Sequence, residues 1–226
     1  MFSLVIPIYN ESENLINLVK EIDTILNNNI DYEIILINDA STDNTKTIIK
    51  KISNKKIRLL NNSINKGQSF CIRFGVENAK YKTIITLDGD GQNDPADIPK
   101  LLEIYNSNIE IELVSGIRHK RKDSLVKKIS SKIANFVRSV ILKDGCKDTG
   151  CALKIFNKNI FLSFPYFDGI HRFLPALFTG YGYKTYFINV NHRNRKYGIS
   201  KYGTANRLFR GIRDIIKVLI IIKNKK

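Results

Sequence analysis

The stretch Thr83-Ile84-Ile85-Thr86-Leu87-Asp88-Gly89-Asp90 is the part of the sequence from which the fold can be worked out. Its first five residues are apolar or β-branched, which is typical of a buried strand. The two carboxylates that follow stand one residue apart on a glycine-containing turn, so both can reach one hard divalent cation. Gly91-Gln92-Asn93-Asp94-Pro95 then has the composition of a turn that leads into a helix. Such a short acidic motif, taken alone, is as typical of a solvated loop as of a magnesium site.

Strand and helix patterns alternate through the first half of the chain. Helical patterns cover Leu15 to Leu26 and residues 44–52, 68–80 and 97–106. The strand patterns cover Ser3–Ile8, Glu33–Asn38, Lys56–Leu60, Thr83–Asp88 and Glu112–Gly116. This alternation predicts an α/β fold with a mixed, mostly parallel sheet flanked by helices, and a ligand site at the carboxyl ends of the strands.

Polar clusters follow three of these strands. Tyr9-Asn10-Glu11 follows the first strand, Asn38-Asp39 the second and Asp88-Gly89-Asp90 the fourth. Each cluster by itself could be only a helix cap or an Asx turn. Their position at the same edge of one sheet favours a functional site.

The charge of the chain is divided unevenly. The net charge is +16 over 226 residues; residues 1–114 hold 12 Lys and Arg against 16 Asp and Glu, and residues 115–226 hold 25 against 5. We therefore expect the first half to hold a cation and a nucleotide, and the second half to face an anionic partner. Nucleic acid, a membrane surface and a phosphorylated substrate all fit the charge.

The second half has a less regular pattern. Leu125–Leu142 is predicted to be a basic helix, and strands are predicted at Ala152–Phe156 and near Thr185–Asn191. His171, a lone histidine before an apolar run, is more typical of a buried, hydrogen-bonded side chain than of a ligand. No linker is visible, so we predict a single domain over 1–226, with a nucleotide and metal half (1–116), an acceptor half (117–204) and a C-terminal helix (205–226).

The predicted C-terminal helix is basic and amphipathic. Arg207, Arg210, Arg213 and Lys217 take much of one side, and the apolar side holds Leu208, Ile212, Ile215, Leu219 and Ile222. The longest uninterrupted apolar run, Val218–Ile222, is far shorter than the ~20 residues that span a bilayer. The helix therefore either packs on the core or lies in the membrane interface.

Two further features bear on the cellular compartment. Cys71, Cys146 and Cys151 have neither metal-ligand spacing nor even pairing, which favours reduced thiols in a cytosol. Met1-Phe2-Ser3-Leu4 carries no basic region, so no signal peptide is expected there. These features favour a cytoplasmic protein, held peripherally on the inner face of the membrane if its last helix binds lipid.

The motifs in their order resemble glycosyltransferase family 2. They are Pro7-x-Tyr9-Asn10-Glu11, Asn38-Asp39-x-Ser41-x-Asp43, Asp88-Gly89-Asp90-Gly91-Gln92, Gly116-x-Arg118 and Arg195-x-x-Gly198-x-Ser200-Lys201. The last motif and His171-Arg172-Phe173-Leu174-Pro175 resemble the branch of dolichol-phosphate mannosyltransferases and bacterial polyprenyl-phosphate glycosyltransferases. The resemblance covers essentially the whole chain.

The resemblance implies a GT-A type fold and an inverting, metal-dependent transfer of a hexose, mannose-like by preference, from a GDP- or UDP-sugar to a polyprenyl phosphate. It implies donor contacts from Pro7, Tyr9, Glu11, Asp39, Asp88 and Gly89. It implies that Asp88, Asp90 and Gln92 hold Mg²⁺ or Mn²⁺, and that Asp90, Arg118, Arg195 and Lys201 act in catalysis. The residues implied for the acceptor phosphate are Arg118, Lys127, Arg195, Ser200 and Lys201. The chain departs from its relatives at Asn38, where a second Asp is frequent, and at Lys127, which aligns with an Arg.

Three other functions remain open on the sequence. A family 2 enzyme could glycosylate a hydroxyl group, and Asp148 or Asp168 would then be the general base. A lipid phosphate needs no such base, because its second pKa is about 6 and it is anionic at pH 7. A basic nucleic-acid-binding protein is disfavoured by the acidic clusters, and an inactive sugar-nucleotide scaffold by the complete metal motif. The sequence does not fix the oligomeric state.

Overall fold

The computed structural model describes residues 1–26, 30–52, 54–119, 138–195 and 205–225, of which 205–210 are described as backbone only. In this part of the chain, seven strands form one sheet in the order β3-β2-β1-β4-β6-β5-β7. The strands are β1 (Phe2–Ile8), β2 (Tyr32–Asn38), β3 (Ile57–Asn61), β4 (Thr83–Thr86), β5 (Ile111–Arg118), β6 (Lys154–Asn157) and β7 (Lys184–Val190).

Among the described strands only β6 runs against the others. It pairs antiparallel with β4 on one side and with β5 on the other, whereas the remaining pairs are parallel. The carboxyl ends of six strands and the first residue of β6 therefore meet at one edge of the sheet. This edge is where an open α/β sheet places its ligands.

Helices cover both faces of the sheet. They are α1 (Ser12–Leu26), α2 (Thr45–Lys51), α3 (Gln68–Glu77), α4 (Ile98–Ser107), α5 (Lys158–Ser163), α6 (Leu174–Gly180) and α7 (Ala205–Lys223). Buried residues of α1, α2 and α4 form one apolar core with Leu4, Ile6 and Ile85. Buried residues of α3, α5, α6 and α7 form the other core with Val5, Ile35 and Ile84. Alternate strand residues thus enter opposite cores, as the pleat requires.

The predicted α/β class with a mostly parallel sheet is confirmed. All seven predicted strands form, and their ends differ from the predicted ones by at most two residues. Two short helices, α5 and α6, were not predicted, because six or seven residues give too little periodicity to recognise. Of the helix predicted over Leu125–Leu142, residues 138–142 are helical and the rest lies outside the described residues.

The residues predicted to form one apolar side of the last helix, α7, lie partly on its core-facing side and partly on its solvent-facing side. Ile215 and Ile222 pack against the second core with the fully buried Val218, whereas Ile212 and Leu219 are exposed. The side chain of Leu208 lies outside the described residues. An ion pair of 2.8 Å between Arg172 and Asp214 fixes α7 to the turn that precedes α6. The helix therefore packs on the core and also presents apolar side chains outward.

The three cysteines are buried and unpaired. Burial raises the pKa of the Cys151 thiol to about 11, and it also raises the pKa values of Cys71 and Cys146. Thiols with raised pKa values inside a core are weak nucleophiles.

Two helical glycines provide a test of how closely α3 packs on the sheet. A Cβ atom on Gly75 would lie 2.6 Å from Val5 Cγ1 and 2.8 Å from Ile37 Cδ1, whereas a Cβ on Gly211 of α7 would meet nothing within 4 Å. We expect Gly75→Ala to lower the free energy of unfolding by about 1–3 kcal/mol through overpacking. We expect Gly211→Ala to raise it by about 0.5–1 kcal/mol, because alanine is the better helix former. Chemical denaturation of both variants checks this, and equal stabilisation by the two would show that α3 packs more loosely than described.

Candidate active site

The loops after β1 and β2 are tied together by side chains. Asn10 has a positive φ of 56°, and its Oδ1 accepts a hydrogen bond of 2.8 Å from the backbone N–H of Thr42. Its own backbone N–H donates to Ser41 Oγ at 3.0 Å, and the N–H of Glu11 donates to Thr45 Oγ1 at 3.0 Å. Asparagine tolerates the left-handed region better than most residues. These bonds fix Tyr9 and Glu11 at the edge of the sheet.

Asp39 holds the loop that joins β3 to α3. Its Oδ1 accepts from Asn62 Nδ2 at 2.7 Å and from the N–H of Lys66 at 2.8 Å, and its Oδ2 accepts from the N–H of Gly67 at 2.8 Å. Three of about four acceptor positions of the carboxylate are thereby used. Asp39, predicted to contact the donor, is buried, and the Cys71 thiol is a further hydrogen-bond partner of its carboxylate.

Asp88 and Asp90 lie beyond the end of β4, as predicted. Gln68 Nε2 donates to Asp88 Oδ1 at 2.7 Å, and the N–H of Gln92 donates to Asp90 Oδ1 at 3.0 Å. Gly89, buried between them, lies against the first strand: a Cβ there would be 3.2 Å from the carbonyl oxygen of Pro7. The close approach brings Pro7 and the two carboxylates together.

The charge around Asp88 is balanced by cations from the second half of the chain. Burial and the neighbouring charge of Asp90 raise the pKa of Asp88 to about 7, against the opposing charges of Lys154 and Arg118. Lys154 is the first residue of β6 and is buried, and its Nζ donates to the carbonyl oxygen of Cys151. Sequence reasoning missed Lys154, because it begins an antiparallel strand instead of following a parallel one. A lysine inside an otherwise apolar strand pattern is the signal that could have revealed it.

Arg195 contacts the carboxylates of two different loops. Its Nη2 lies 2.5 Å from Glu11 Oε1, and its Nη1 lies 3.8 Å from Asp90 Oδ2. The side-chain amide of Gln92, a predicted metal ligand, donates to the carbonyl oxygen of Arg193 at 3.3 Å. The structure therefore gathers Glu11, Asp88, Asp90 and Arg195 and directs the amide nitrogen of Gln92 to the backbone.

A divalent cation fits this donor set only with help from a ligand. Among the described residues, no group of three or more His, Cys, Asp and Glu side chains is placed to hold a metal ion. Asp88 and Asp90 offer two carboxylates, and Mg²⁺ is commonly held by one or two carboxylates together with water and substrate phosphates. The residues fit a Mg²⁺ or Mn²⁺ ion that a diphosphate helps to coordinate.

Arg118 is fixed by Asp148 at the end of β5. Its Nε donates to Asp148 Oδ2 and its Nη2 to Asp148 Oδ1, both at 2.7 Å. Gly150 makes room for this pair, since a Cβ there would lie 2.6 Å from Arg118 Nη2. Asp148 is buried with both oxygens engaged, so it is a poor general base. Asp168, the other predicted base, is exposed.

His171 is a neutral, hydrogen-bonded histidine. Ser69 Oγ accepts from the N–H of Gly169 at 2.7 Å and lies 2.7 Å from His171 Nδ1. The serine proton is then available to Nδ1, which places the imidazole proton on Nε2. Burial, with the charges of Arg172 and Lys154, lowers the pKa of His171 to about 3. The expectation of a hydrogen-bonded histidine is confirmed.

Three predicted acceptor residues, Lys127, Ser200 and Lys201, lie outside the described residues. Their roles stay predictions.

The sheet order and the acidic turn at its carboxyl edge are those of the GT-A type of fold. Residues 3–163 match the family described as Glycosyl transferase family 2, and the chain belongs to this family. The protein is accordingly a glycosyltransferase, and the predicted resemblance is confirmed.

Relatives and solved structures agree with this assignment. The chain is 34% identical over 233 residues to dodecaprenyl-phosphate galacturonate synthase of Rhizobium johnstonii, covering 99% of this chain and 68% of the relative. It is 32% identical over 222 residues to undecaprenyl-phosphate 4-deoxy-4-formamido-L-arabinose transferase of Yersinia pestis, covering 96% of this chain and 67% of the relative. Among solved structures, glucosyl-3-phosphoglycerate synthase of Mycobacterium tuberculosis with Mn²⁺, UDP and glucosyl-3-phosphoglycerate has a TM-score of 0.72 at 17% identity, over 98% of this chain and 79% of that one. This last likeness confirms the GT-A fold.

The lowered pKa of His171 predicts a pH dependence of stability. An unfolded histidine takes up a proton below pH ~6.5, whereas the native side chain stays neutral down to about pH 3. The free energy of unfolding should therefore fall as the pH is lowered, with a contribution from His171 of order 1–2 kcal/mol between pH 7.5 and 5. Denaturation of the wild type and of His171→Gln at both pH values isolates this contribution. Identical pH dependence in the two proteins would contradict a neutral His171.

Proposed function

We propose that the protein transfers a sugar from a nucleotide-diphospho-sugar to a polyprenyl phosphate, with inversion and with a divalent metal. The named relatives act on dodecaprenyl and undecaprenyl phosphate. The observation that carries the proposal is the pairing of Arg118, whose charge acts on Asp88, with Asp148. Both oxygens of Asp148 are held, so the site suits an acceptor that needs no proton removed.

The residues have distinct tasks in this reaction. Asp88 and Asp90 would hold the metal, which supplies charge neutralisation for the diphosphate leaving group. Tyr9, Asp39 and the backbone near Pro7 would bind the nucleoside. Arg118 would offer its positive charge to the acceptor phosphate, and Lys154 would add a second positive charge near Asp88, against the repulsion of the two anions. Lys127, Ser200 and Lys201 are proposed as further phosphate contacts.

The donor nucleotide is proposed to be uridine diphosphate, which two solved structures of glucosyl-3-phosphoglycerate synthase contain together with Mn²⁺ or Mg²⁺. The relatives' names specify galacturonate and 4-deoxy-4-formamido-L-arabinose, so nothing in them supports the mannose preference expected from the resemblance. A comparison of donors has to include all three sugars.

A direct transfer assay tests the proposal. Purified protein is given UDP-galacturonate, UDP-4-deoxy-4-formamido-L-arabinose, UDP-glucose or GDP-mannose, with undecaprenyl phosphate or undecaprenol as acceptor. We expect transfer to the phosphate alone, loss of transfer in excess chelator, and a fall of roughly 100-fold or more in Asp90→Asn.

The matched control is Asp168→Asn, which removes an exposed carboxylate. It should keep wild-type transfer if the acceptor is a phosphate. Transfer to undecaprenol that is lost in Asp168→Asn would instead establish the hydroxyl-acceptor function.

We further propose that α7 holds the protein on the membrane that contains its acceptor. No described helix has the length and apolar character needed to cross a bilayer. Opposite its buried face, however, α7 exposes Ile212, Ile216, Leu219 and Ile220, with Arg213 and Lys217 along one side of this stripe. An apolar stripe flanked by cations is typical of helices in the interface of anionic membranes.

Two outward-facing isoleucines allow this to be tested without disturbing the core. Ile216 and Ile220 are 53% exposed each, so Ile216→Asp with Ile220→Asp should leave the fold intact. We expect this double variant to lose most of its binding to vesicles that contain anionic lipid in sedimentation assays. The control is Ile109→Asp, which alters an isoleucine that is 95% exposed in the turn before β5 and lies outside α7. This variant should bind vesicles like the wild type. Equal vesicle binding by all three proteins would exclude α7 as the membrane contact.

A further inference from the structure

The segment after β7 is fixed along the turn that carries Asp90. His192 forms an antiparallel bridge with Asn93, and the N–H of Arg193 donates to the carbonyl oxygen of Gln92 at 2.8 Å. The guanidinium of Arg193 contacts Glu21 at 2.6 Å and Asp94 at 2.7 Å. These contacts fix the backbone just before Arg195 and so limit which groups the side chain of Arg195 can contact.

Arg195 is thereby placed between two carboxylates that belong to different loops. It lies 2.5 Å from Glu11 and 3.8 Å from Asp90, and its side chain is 21% exposed. The second oxygen of Glu11 accepts from Asn14 Nδ2 at 2.8 Å, which fixes the carboxylate toward Arg195. A cationic side chain thus contacts one of the two carboxylates that fit the metal.

A guanidinium in this position opposes the entry of a second cation. Two positive charges near Asp90 repel each other, and in a partly buried site this repulsion is weakly screened. The described residues also provide no cage of three acidic or imidazole ligands that would hold a metal without help. A nucleotide diphosphate adds at least two negative charges and further oxygen ligands, so with it both cations can be accommodated.

We propose that Arg195 competes with the metal for Asp90 and so makes metal binding depend on the nucleotide. The inference rests on the proposed function, because it assumes that the nucleotide diphosphate binds beside Asp88 and Asp90. Arg195 acts as the counter-ion of Glu11 and Asp90 in the nucleotide-free protein, and it contacts phosphate once the donor and metal are bound. Coupling of this kind is reciprocal: the metal raises the affinity for the nucleotide by the same factor.

Manganese binding measured on the intact chain tests this without any turnover. Free Mn²⁺ is followed by electron paramagnetic resonance during titrations with and without UDP. We expect Arg195→Gln to raise the nucleotide-free affinity for Mn²⁺ by roughly 5- to 50-fold and to shrink the gain caused by UDP. Arg195→Lys keeps the charge and should stay closer to the wild type.

Lys184→Gln is the matched control, since it removes one positive charge from an exposed ion pair with Glu110. It should bind Mn²⁺ like the wild type, and thermal melting of each variant checks the fold. Unchanged or weaker nucleotide-free binding in Arg195→Gln, with normal binding of Mn²⁺ and UDP together, overturns this inference alone. Absence of UDP-dependent Mn²⁺ binding in every variant overturns the proposed function and this inference with it.

Discussion

The hydrogen bonds of β6 are the interaction on which the rest of the structure depends. This strand of four residues pairs with β4 on one side and β5 on the other, so among the described strands it alone joins the two parts of the sheet. Because β6 runs against its neighbours, its first residue lies at the edge where they end. The acidic turn of the first half and the basic residues of the second half therefore meet at one place.

That meeting explains how carboxylates and cations are distributed in the site. Asp88 and Asp90 come from the half with the negative balance, whereas Arg118, Lys154 and Arg195 come from the half with the positive balance. Without the other set, the like charges within each set would repel one another strongly, because the site is partly buried. Together they form a site whose net charge is close to zero before any ligand binds. The ligands that fit such a site are a cation together with anions.

The fold could be predicted largely from sequence, because buried parallel strands are continuous apolar runs separated by helical periods. The positions of Asp39, Asp88 and Asp90 could be predicted from the same pattern, because residues that directly follow a parallel strand lie at the carboxyl edge of the sheet. The partners of these residues could not be predicted. The contact of Arg195 with Glu11 joins positions far apart in the chain and depends on the bridge between Asn93 and His192. Likewise, Lys154 stands out in sequence as a lysine within the apolar strand pattern Ala152–Phe156, but the pattern does not show that its charge acts on Asp88.

The strand order has a consequence for synthesis on the ribosome. The first four strands can pair among themselves as soon as they emerge, but β4 then presents an open edge, because its other neighbour is β6. At 5–20 residues per second, roughly 3–14 s separate the emergence of β4 from that of β6. During that interval an apolar edge of unpaired N–H and C=O groups is exposed to other nascent chains. The nascent chain is therefore exposed to aggregation at this edge until the four residues of β6 emerge and pair with β4.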